Sequence, residues 1–338
     1  MINIKKYKIN SLAKKAIQKY QYLTLSKSVN SGNIIGRHRL NVQIQTVSNC
    51  NGKCIFCPYL GSWHQKNPGK MDWDVYKKII RNLKPFKISK FCPYLQNEPL
   101  LDKGLFKKID YALKRLDIQK VEISTNLAFL NDTILKQLVK SLSPIKHEIW
   151  ISFHGVDEPT YEQIMGLDFN KSFNNIMHLV ETSQKEPLNI IIRGAGMPKK
   201  RLNNLKSWFG RRDYFEFWDK QLRKFKNKPE IRFITYHDRA GSEQLKNKNM
   251  SFNHIFNDNL NGFYCVRFDR WLHFLYTGEP IFCCMDYSRE TAFGETVNEN
   301  TIDAIYNSEH FRTLIKQGLG LQESEVNFIC KRCVSPGG

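Results

Sequence analysis

Short apolar runs and longer amphipathic stretches take turns along most of this chain. Runs over 40–47, 88–95, 121–124, 148–153, 188–192 and 231–236 are rich in Ile, Val, Leu and Phe and read as six strands. Between them, apolar residues recur at helical spacing. Examples are Trp73, Tyr76, Ile80 and Leu83, then Leu105, Ile109, Leu113 and Leu116. Ile134, Leu138 and Leu142 form a third such face, and Phe173, Ile176, Met177 and Val180 a fourth. Strand–helix alternation builds parallel βα units, so the fold class is α/β, with a partial (β/α)6 barrel over 38–241. In such folds ligands sit at the carboxyl ends of the strands. The residues that follow each strand are therefore where chemistry is expected.

The pattern changes on either side of this region. Residues 1–37 are Lys-rich, with a weak helical pattern around Leu12, Ala16 and Tyr20, and read as a basic extension that forms a lid or cap before the first strand. Trp208, Arg211, Arg212, Tyr214, Phe215, Phe217 and Trp218 crowd together, and read as an outer helix with a core face rather than a base-stacking surface. Residues 242–261 are rich in Asn, Lys and Ser and read as a linker. Residues 262–338 then form a small hairpin-plus-helix domain. Its strands lie over 271–276 and 280–283, joined at Thr277-Gly278. Its helix lies over 302–316, with a break near Ser308 and a stop at Gly318.

The chemistry lies in the cysteines. Cys50, Cys54 and Cys57 follow the first strand with spacing C-x3-C-x2-C. Three thiolates on one loop can hold a [4Fe-4S] cluster and leave one iron open to a ligand, with Phe56 as a flat apolar wall beside it. The same three thiols with His64 would also suit zinc. Cys265, Cys283, Cys330 and Cys333 come from the hairpin and a terminal Cys-x2-Cys, and can close a second metal site. Cys92 reads as a buried apolar residue. Cys284 adjoins Cys283 and, on a strand, would point to the opposite side.

The cysteine loop, with an aromatic before its last cysteine, resembles that of the radical S-adenosylmethionine (SAM) enzymes. The resemblance implies that SAM chelates the open iron and is reductively cleaved to a 5′-deoxyadenosyl radical, which removes a substrate hydrogen. Gln96-Asn97-Glu98-Pro99 is similar to the family's Gly-Gly-Glu-Pro segment, with both glycines replaced. That likeness assigns Glu98 to the SAM ammonium. Asn126, Ser152 and Arg193, after the third, fourth and fifth strands, match polar residues that bind the ribose and the methionine carboxylate. The glycines after Arg193 would let backbone approach the cofactor, or merely turn the chain. His154 could bind substrate or move a proton, or be structural. His237 and Asp286 are weaker candidates for a base.

Residues 265–333 resemble the twitch domain, the shortened form of the SPASM domain, through a C-x(9–15)-G-x4-C, gap, C-x2-C pattern. The resemblance implies one auxiliary [4Fe-4S] cluster on Cys265, Cys283, Cys330 and Cys333. Net oxidation would follow if that cluster takes an electron, and epimerisation if Cys284 returns a hydrogen. The substrate expected from family members is a sugar or cyclitol, and the alternative is a ribosomal peptide. A one-electron donor such as flavodoxin or ferredoxin is the implied partner.

Charge and composition adjust this picture only slightly. The net charge is +20, and residues 1–71 hold no Asp or Glu. That excess suits an anionic or nucleotide-linked substrate, an acidic peptide or nucleic acid, or is a solvated basic surface with no partner. A zinc protein that binds nucleic acid is the competing class. Nine cysteines without a secretory signal favour metal ligation in a reducing compartment, so the expected location is cytoplasmic. No apolar run is long enough to span a bilayer.

Overall fold

The computed structural model describes residues 11–32, 34–196, 208–235, 239–240 and 257–333. Most of the linker expected over 242–261 lies outside the described residues, as does His237. The chain begins with α1 (Ser11–Ser31), β1 (Leu40–Ile44), α2 (Trp63–Lys66), α3 (Trp73–Leu83) and β2 (Ile88–Cys92). A 3-10 turn (Pro99–Leu101) leads to α4 (Leu105–Leu113), β3 (Val121–Thr125), α5 (Asp132–Leu142) and β4 (His147–Ser152). Then come α6 (Glu158–Met165), α7 (Phe169–Thr182), β5 (Ile190–Gly196), α8 (Arg211–Leu222) and β6 (Glu230–Thr235). The last elements are α9 (Arg267–Arg270), β7 (Trp271–Phe274), β8 (Pro280–Ile281), α10 (Ile302–Tyr306) and α11 (Glu309–Gly318).

All eight strands share one sheet, in the order β6-β5-β4-β3-β2-β1-β7-β8. β1 to β6 are parallel neighbours, as βα units require. The C-terminal hairpin is not a detached module. Its first strand pairs parallel with β1, from Asn41 opposite Trp271 to Ile44 opposite Phe274, and β8 then turns back antiparallel. The expected break in the last helix occurs where Ser308 accepts from the Phe311 amide at 3.2 Å and starts α11.

The two faces of the sheet differ in chemistry. Along β4, His147, Ile149 and Ile151 are buried, whereas Glu148, Trp150 and Ser152 are half-buried and face the concave side. That concave side is polar. Lys90 pairs with Glu122 at 2.5 Å, the Tyr94 hydroxyl donates to the same carboxylate at 2.5 Å, and Glu148 accepts from Lys120 at 2.6 Å and from Trp150 Nε1 at 3.1 Å. Buried Cys92 lies 3.9 Å from Glu122.

The outer face is an apolar layer beneath the helices. Tyr214 and Trp218 of α8 are fully buried there, and Trp218 packs edge-on against Phe153 at 5.3 Å. The core reading of the aromatic stretch holds for these residues. It also explains the glycines of β5. A Cβ at Gly194 would lie 2.5 Å from the Tyr214 ring, and one at Gly196 2.7 Å from Phe233. These glycines make room for aromatic side chains and do not turn the chain.

The N-terminal helix α1 packs against α11. Leu25 and Val29 join the same core as Phe311 and Ile315, and the Tyr22 hydroxyl donates to Asn261 at 3.1 Å. Its weak amphipathicity gave no sign of which surface it would meet.

Candidate functional site

The cysteine loop follows β1 and is held by backbone rather than by regular structure. Lys53 N donates to Met165 O at 2.9 Å and Ile55 N to Ile164 O at 3.0 Å, so the end of α6 props the loop. Cys50, Cys54 and Cys57 are in no disulfide and are partly exposed. Cys54 Sγ rests 3.6 Å from Met165 Sδ. Phe56 is buried and meets the His154 ring edge-on at 5.0 Å. Burial and the nearby charge of Glu98 push the Cys50 thiol up to about 12, so bound iron is the counter-charge that would hold it as thiolate.

His64, the fourth ligand in the zinc reading, is buried and sits 3.4 Å from Gln45 Nε2. Burial lowers its pKa to about 4. Among the described residues, no group of three or more His, Cys, Asp or Glu side chains is placed to hold a single metal ion.

Glu98 sits after β2, as expected, but its carboxylate is already engaged. Oε1 accepts from Leu100 N at 3.1 Å and from the Thr125 hydroxyl at 2.6 Å, while Oε2 accepts from Asn126 N at 2.8 Å. Its own amide donates to Asn49 O at 3.0 Å. Asn126 continues the chain of bonds, since its Nδ2 donates to Asn51 Oδ1 at 2.9 Å, inside the cysteine loop. The ends of β2 and β3 are thereby tied to that loop. Asn51 carries no spacing signal and was not singled out in the sequence, whereas Thr125 belongs to the polar end of the third strand, Ser124-Thr125-Asn126, where contacts to the ribose or methionine are expected.

The replaced glycines have a structural trace. Gln96 adopts φ 57, the left-handed region that favours glycine. Its Nε2 donates to Cys284 O at 2.8 Å, which bonds the barrel rim to the turn after β8.

Ser152 and Arg193 are cross-strand neighbours on β4 and β5. The Arg193 guanidinium lies over Trp150 at 5.4 Å, and its Nε is buried with no hydrogen-bond partner among the described residues. Buried His154 likewise leaves Nδ1 unpartnered there. Burial, with help from Arg193 and Arg239, holds the His154 pKa well below its usual value, so the ring is neutral. Arg239, in the rim segment that follows the sixth strand, reaches Met285 Sδ at 3.7 Å. Asp286 is committed to its own turn, where it accepts from Glu290 N at 3.0 Å, Thr291 N at 2.8 Å and the Thr291 hydroxyl at 2.6 Å. A role as a substrate base would cost those bonds.

Cys265, Cys283, Cys330 and Cys333 line one cavity, walled by Phe263, Phe268, Phe282 and Ile329. Four thiols around an apolar hollow fit an iron–sulfur cluster in donor type and surroundings. β8 ends at Ile281, so Cys283 and Cys284 lie in a turn, and strand alternation does not separate their side chains. Cys284 is not part of the cavity wall; its Sγ accepts from Arg267 Nε at 3.1 Å. The same turn reaches the first site, where Tyr287 OH lies 4.0 Å from Cys57 Sγ and Tyr287 O accepts from Trp63 N at 3.3 Å.

The comparisons agree with this geometry. A family model of the radical SAM superfamily matches residues 44–207, and one of the SPASM iron–sulfur cluster-binding domain matches residues 265–334. No curated protein matches the sequence. Among solved structures, BtrN in complex with AdoMet and 2-DOIA aligns with a TM-score of 0.55 and 15% identity, over 89% of this chain and 95% of that one. SuiB of Streptococcus suis bound to the precursor peptide SuiA aligns at 0.56 and 13%, over 98% and 78%. anSMEcpe with bound AdoMet aligns at 0.52 and 16%, over 83% and 84%. At these identities the structures speak for the shared fold alone. No helix among the described residues is long and apolar enough to cross a membrane. The iron–sulfur family models displace the zinc reading: the chain belongs to the radical SAM superfamily and carries a SPASM iron–sulfur cluster-binding domain.

Proposed function

We propose that the protein oxidises a small polyhydroxylated substrate, a sugar or cyclitol, by radical SAM chemistry, as a dehydrogenase. The observation that carries this reading is the turn over 283–287. Cys283 lines the cavity of one cysteine set, and Tyr287 touches Cys57 of the other. Four residue steps span at most about 14 Å. When bound, the first cluster supplies the electron that splits SAM into methionine and a 5′-deoxyadenosyl radical, and the second accepts an electron from the substrate.

The chain's own residues supply the rest. Cys50, Cys54 and Cys57 ligate the first cluster, and Cys265, Cys283, Cys330 and Cys333 the second. Phe56 and Asn126 border the SAM site, Glu98 holds the strand ends in register with the cysteine loop, and Arg193 and Ser152 face the methionine carboxylate and ribose. Arg193 suits a carboxylate because its guanidinium can bind in a bidentate fork. With SAM bound, a substrate C–H held on the concave face would give up its hydrogen atom there. The adjacent O–H proton passes to neutral His154 as the electron leaves, and a carbonyl forms. The polar concave face, with Glu148 and Trp150, suits a hydroxylated molecule. Oxidation is favoured over epimerisation because Cys284 Sγ is engaged by Arg267. A flavodoxin or ferredoxin is the proposed electron source, and a reducing, cytoplasmic setting suits both clusters.

One observation favours a second reading, maturation of a ribosomal peptide. Ile17, Tyr20 and Leu23 of α1 are exposed on a Lys-rich helix beside the C-terminal region, a surface that a peptide could line.

The test is anaerobic reconstitution of the wild type and of a variant with Cys50, Cys54 and Cys57 changed to Ala. Two [4Fe-4S] clusters require about eight irons per chain, falling to about four in the variant with loss of SAM cleavage. A panel of cyclitols and amino sugars is then scored for carbonyl products, with SAM cleavage coupled to one of them. Deuterium entering an epimerised product in D2O would overturn the dehydrogenase assignment. Coupled cleavage with a peptide and no small molecule would promote the second reading.

A further inference from the structure

We propose that Arg267 is the built-in counter-cation of the auxiliary cluster, and that its guanidinium raises that cluster's reduction potential. The proposal rests on Cys265, Cys283, Cys330 and Cys333 being cluster ligands.

Arg267 lines the same cavity as those four cysteines. Its Nε donates to Cys284 Sγ at 3.1 Å, and a terminal guanidinium nitrogen lies 3.8 Å from Cys265 Sγ. No carboxylate pairs with it among the described residues. The acids of this region are all engaged elsewhere. Asp269 accepts from the Tyr264 hydroxyl at 2.9 Å, and Glu290 pairs with Arg332 at 2.5 Å. Glu279 pairs with Arg289, and Asp286 is held by its own turn. Its neighbours in the cavity wall are otherwise apolar, Phe263, Phe268 and Phe282 among them.

A cation in an apolar wall without a counter-ion is costly, and the cost falls only if negative charge occupies the cavity. A cluster held by four cysteinates is anionic and becomes more so on reduction. A fixed positive charge beside it, in surroundings that screen poorly, stabilises the reduced form more than the oxidised one. The auxiliary cluster is thus the better electron acceptor for a substrate radical. Cys284 Sγ accepts the hydrogen bond from Nε and holds the guanidinium, still charged, at the cavity's edge. This gives the fifth cysteine of the region a positioning role distinct from ligation.

The test uses the full chain carrying Cys50, Cys54 and Cys57 changed to Ala, whose one remaining cluster is the auxiliary one. Its midpoint potential is read by redox titration monitored by electron paramagnetic resonance, for Arg267, Arg267→Lys and Arg267→Met. The expected result is a lower potential in Arg267→Met, with Arg267→Lys close to the parent. Loss of iron in Arg267→Met alone, with Arg267→Lys loading normally, also supports the proposal, since charge is what separates the two. An unchanged potential in a loaded Arg267→Met, or equal defects in both variants, would overturn it. A parent that takes up no iron and sulfide would instead refute the ligand assignment itself.

Discussion

Asn126, at the end of β3, donates to Asn51 inside the cysteine loop at 2.9 Å. The bond lets a barrel strand position the segment that carries Cys50 and Cys54. Removing the side chain loses this bond and a local one, in which Oδ1 accepts from Ala128 N at 3.0 Å; the bond to the loop is worth about 0.5–1.5 kcal/mol. Asn126→Ala should therefore bind SAM about two- to tenfold more weakly, with iron content unchanged. Calorimetric titration of the loaded protein checks this, and a wild-type SAM affinity would remove Asn126 from the site.

Two buried groups on this rim titrate with opposite signs. Burial raises the Glu98 pKa to about 7, against the bonds from Thr125, Asn126 and Leu100. The folded state then holds a proton that the unfolded chain releases near 4.3, so Glu98 costs stability as pH rises from there to about 7. His154 is shifted the other way, by burial first and by Arg193 and Arg239 after it. It stays neutral while the unfolded chain takes up a proton below about 6.5, so its contribution is lost as pH falls. Denaturant melts at pH 5.5 and 7.5, of wild type against His154→Asn, should show a smaller acid loss in the variant, by up to about 1.4 kcal/mol for each pH unit. Parallel pH profiles for the two proteins would contradict the assignment.

Gln96 joins a local strain to a long-range bond. Its left-handed φ costs about 1–2 kcal/mol, and its bond to the Cys284 carbonyl returns about as much. Gln96→Gly should leave overall stability within about 1 kcal/mol of wild type while loosening the turn over 283–287. Hydrogen exchange at the Cys284 and Met285 amides is the readout. Unaltered protection there would mean that the bond does not hold the turn.

Gly194→Ala tests why β5 carries glycine. The new methyl group would stand 2.5 Å from the Tyr214 ring, whose neighbours leave it little room to retreat. Overpacking of this kind costs about 1–3 kcal/mol. A thermal melt of the cluster-free protein should fall accordingly. A melt equal to wild type would show that Tyr214 moves freely.

Much of this molecule is local in origin. The six parallel strands and most of the helices between them follow from side-chain periodicity, because alternation and helical spacing decide which face each segment must bury. The cysteine spacings Cys50–Cys54–Cys57 and Cys330–Cys333 are equally local, since a loop's reach decides which thiols can share one centre. These features name the family from the chain alone.

The contacts that make a site of those motifs join residues far apart in sequence. Asn126 reaches Asn51 across 75 positions, Gln96 reaches Cys284 across 188, and Tyr287 meets Cys57 across 230. Single polar side chains of this kind have no periodicity, so nothing in their own neighbourhood announces a partner. The same holds for β7, whose pattern marks a strand but not the edge of β1 on which it pairs. It holds too for Arg267, which is one more basic residue among many until the fold closes around it and sets it beside the thiols of Cys284 and Cys265. Tertiary structure decided these matters because burial removes water as the alternative partner. Each buried polar group must then find its complement in whatever distant segment packing brings to it.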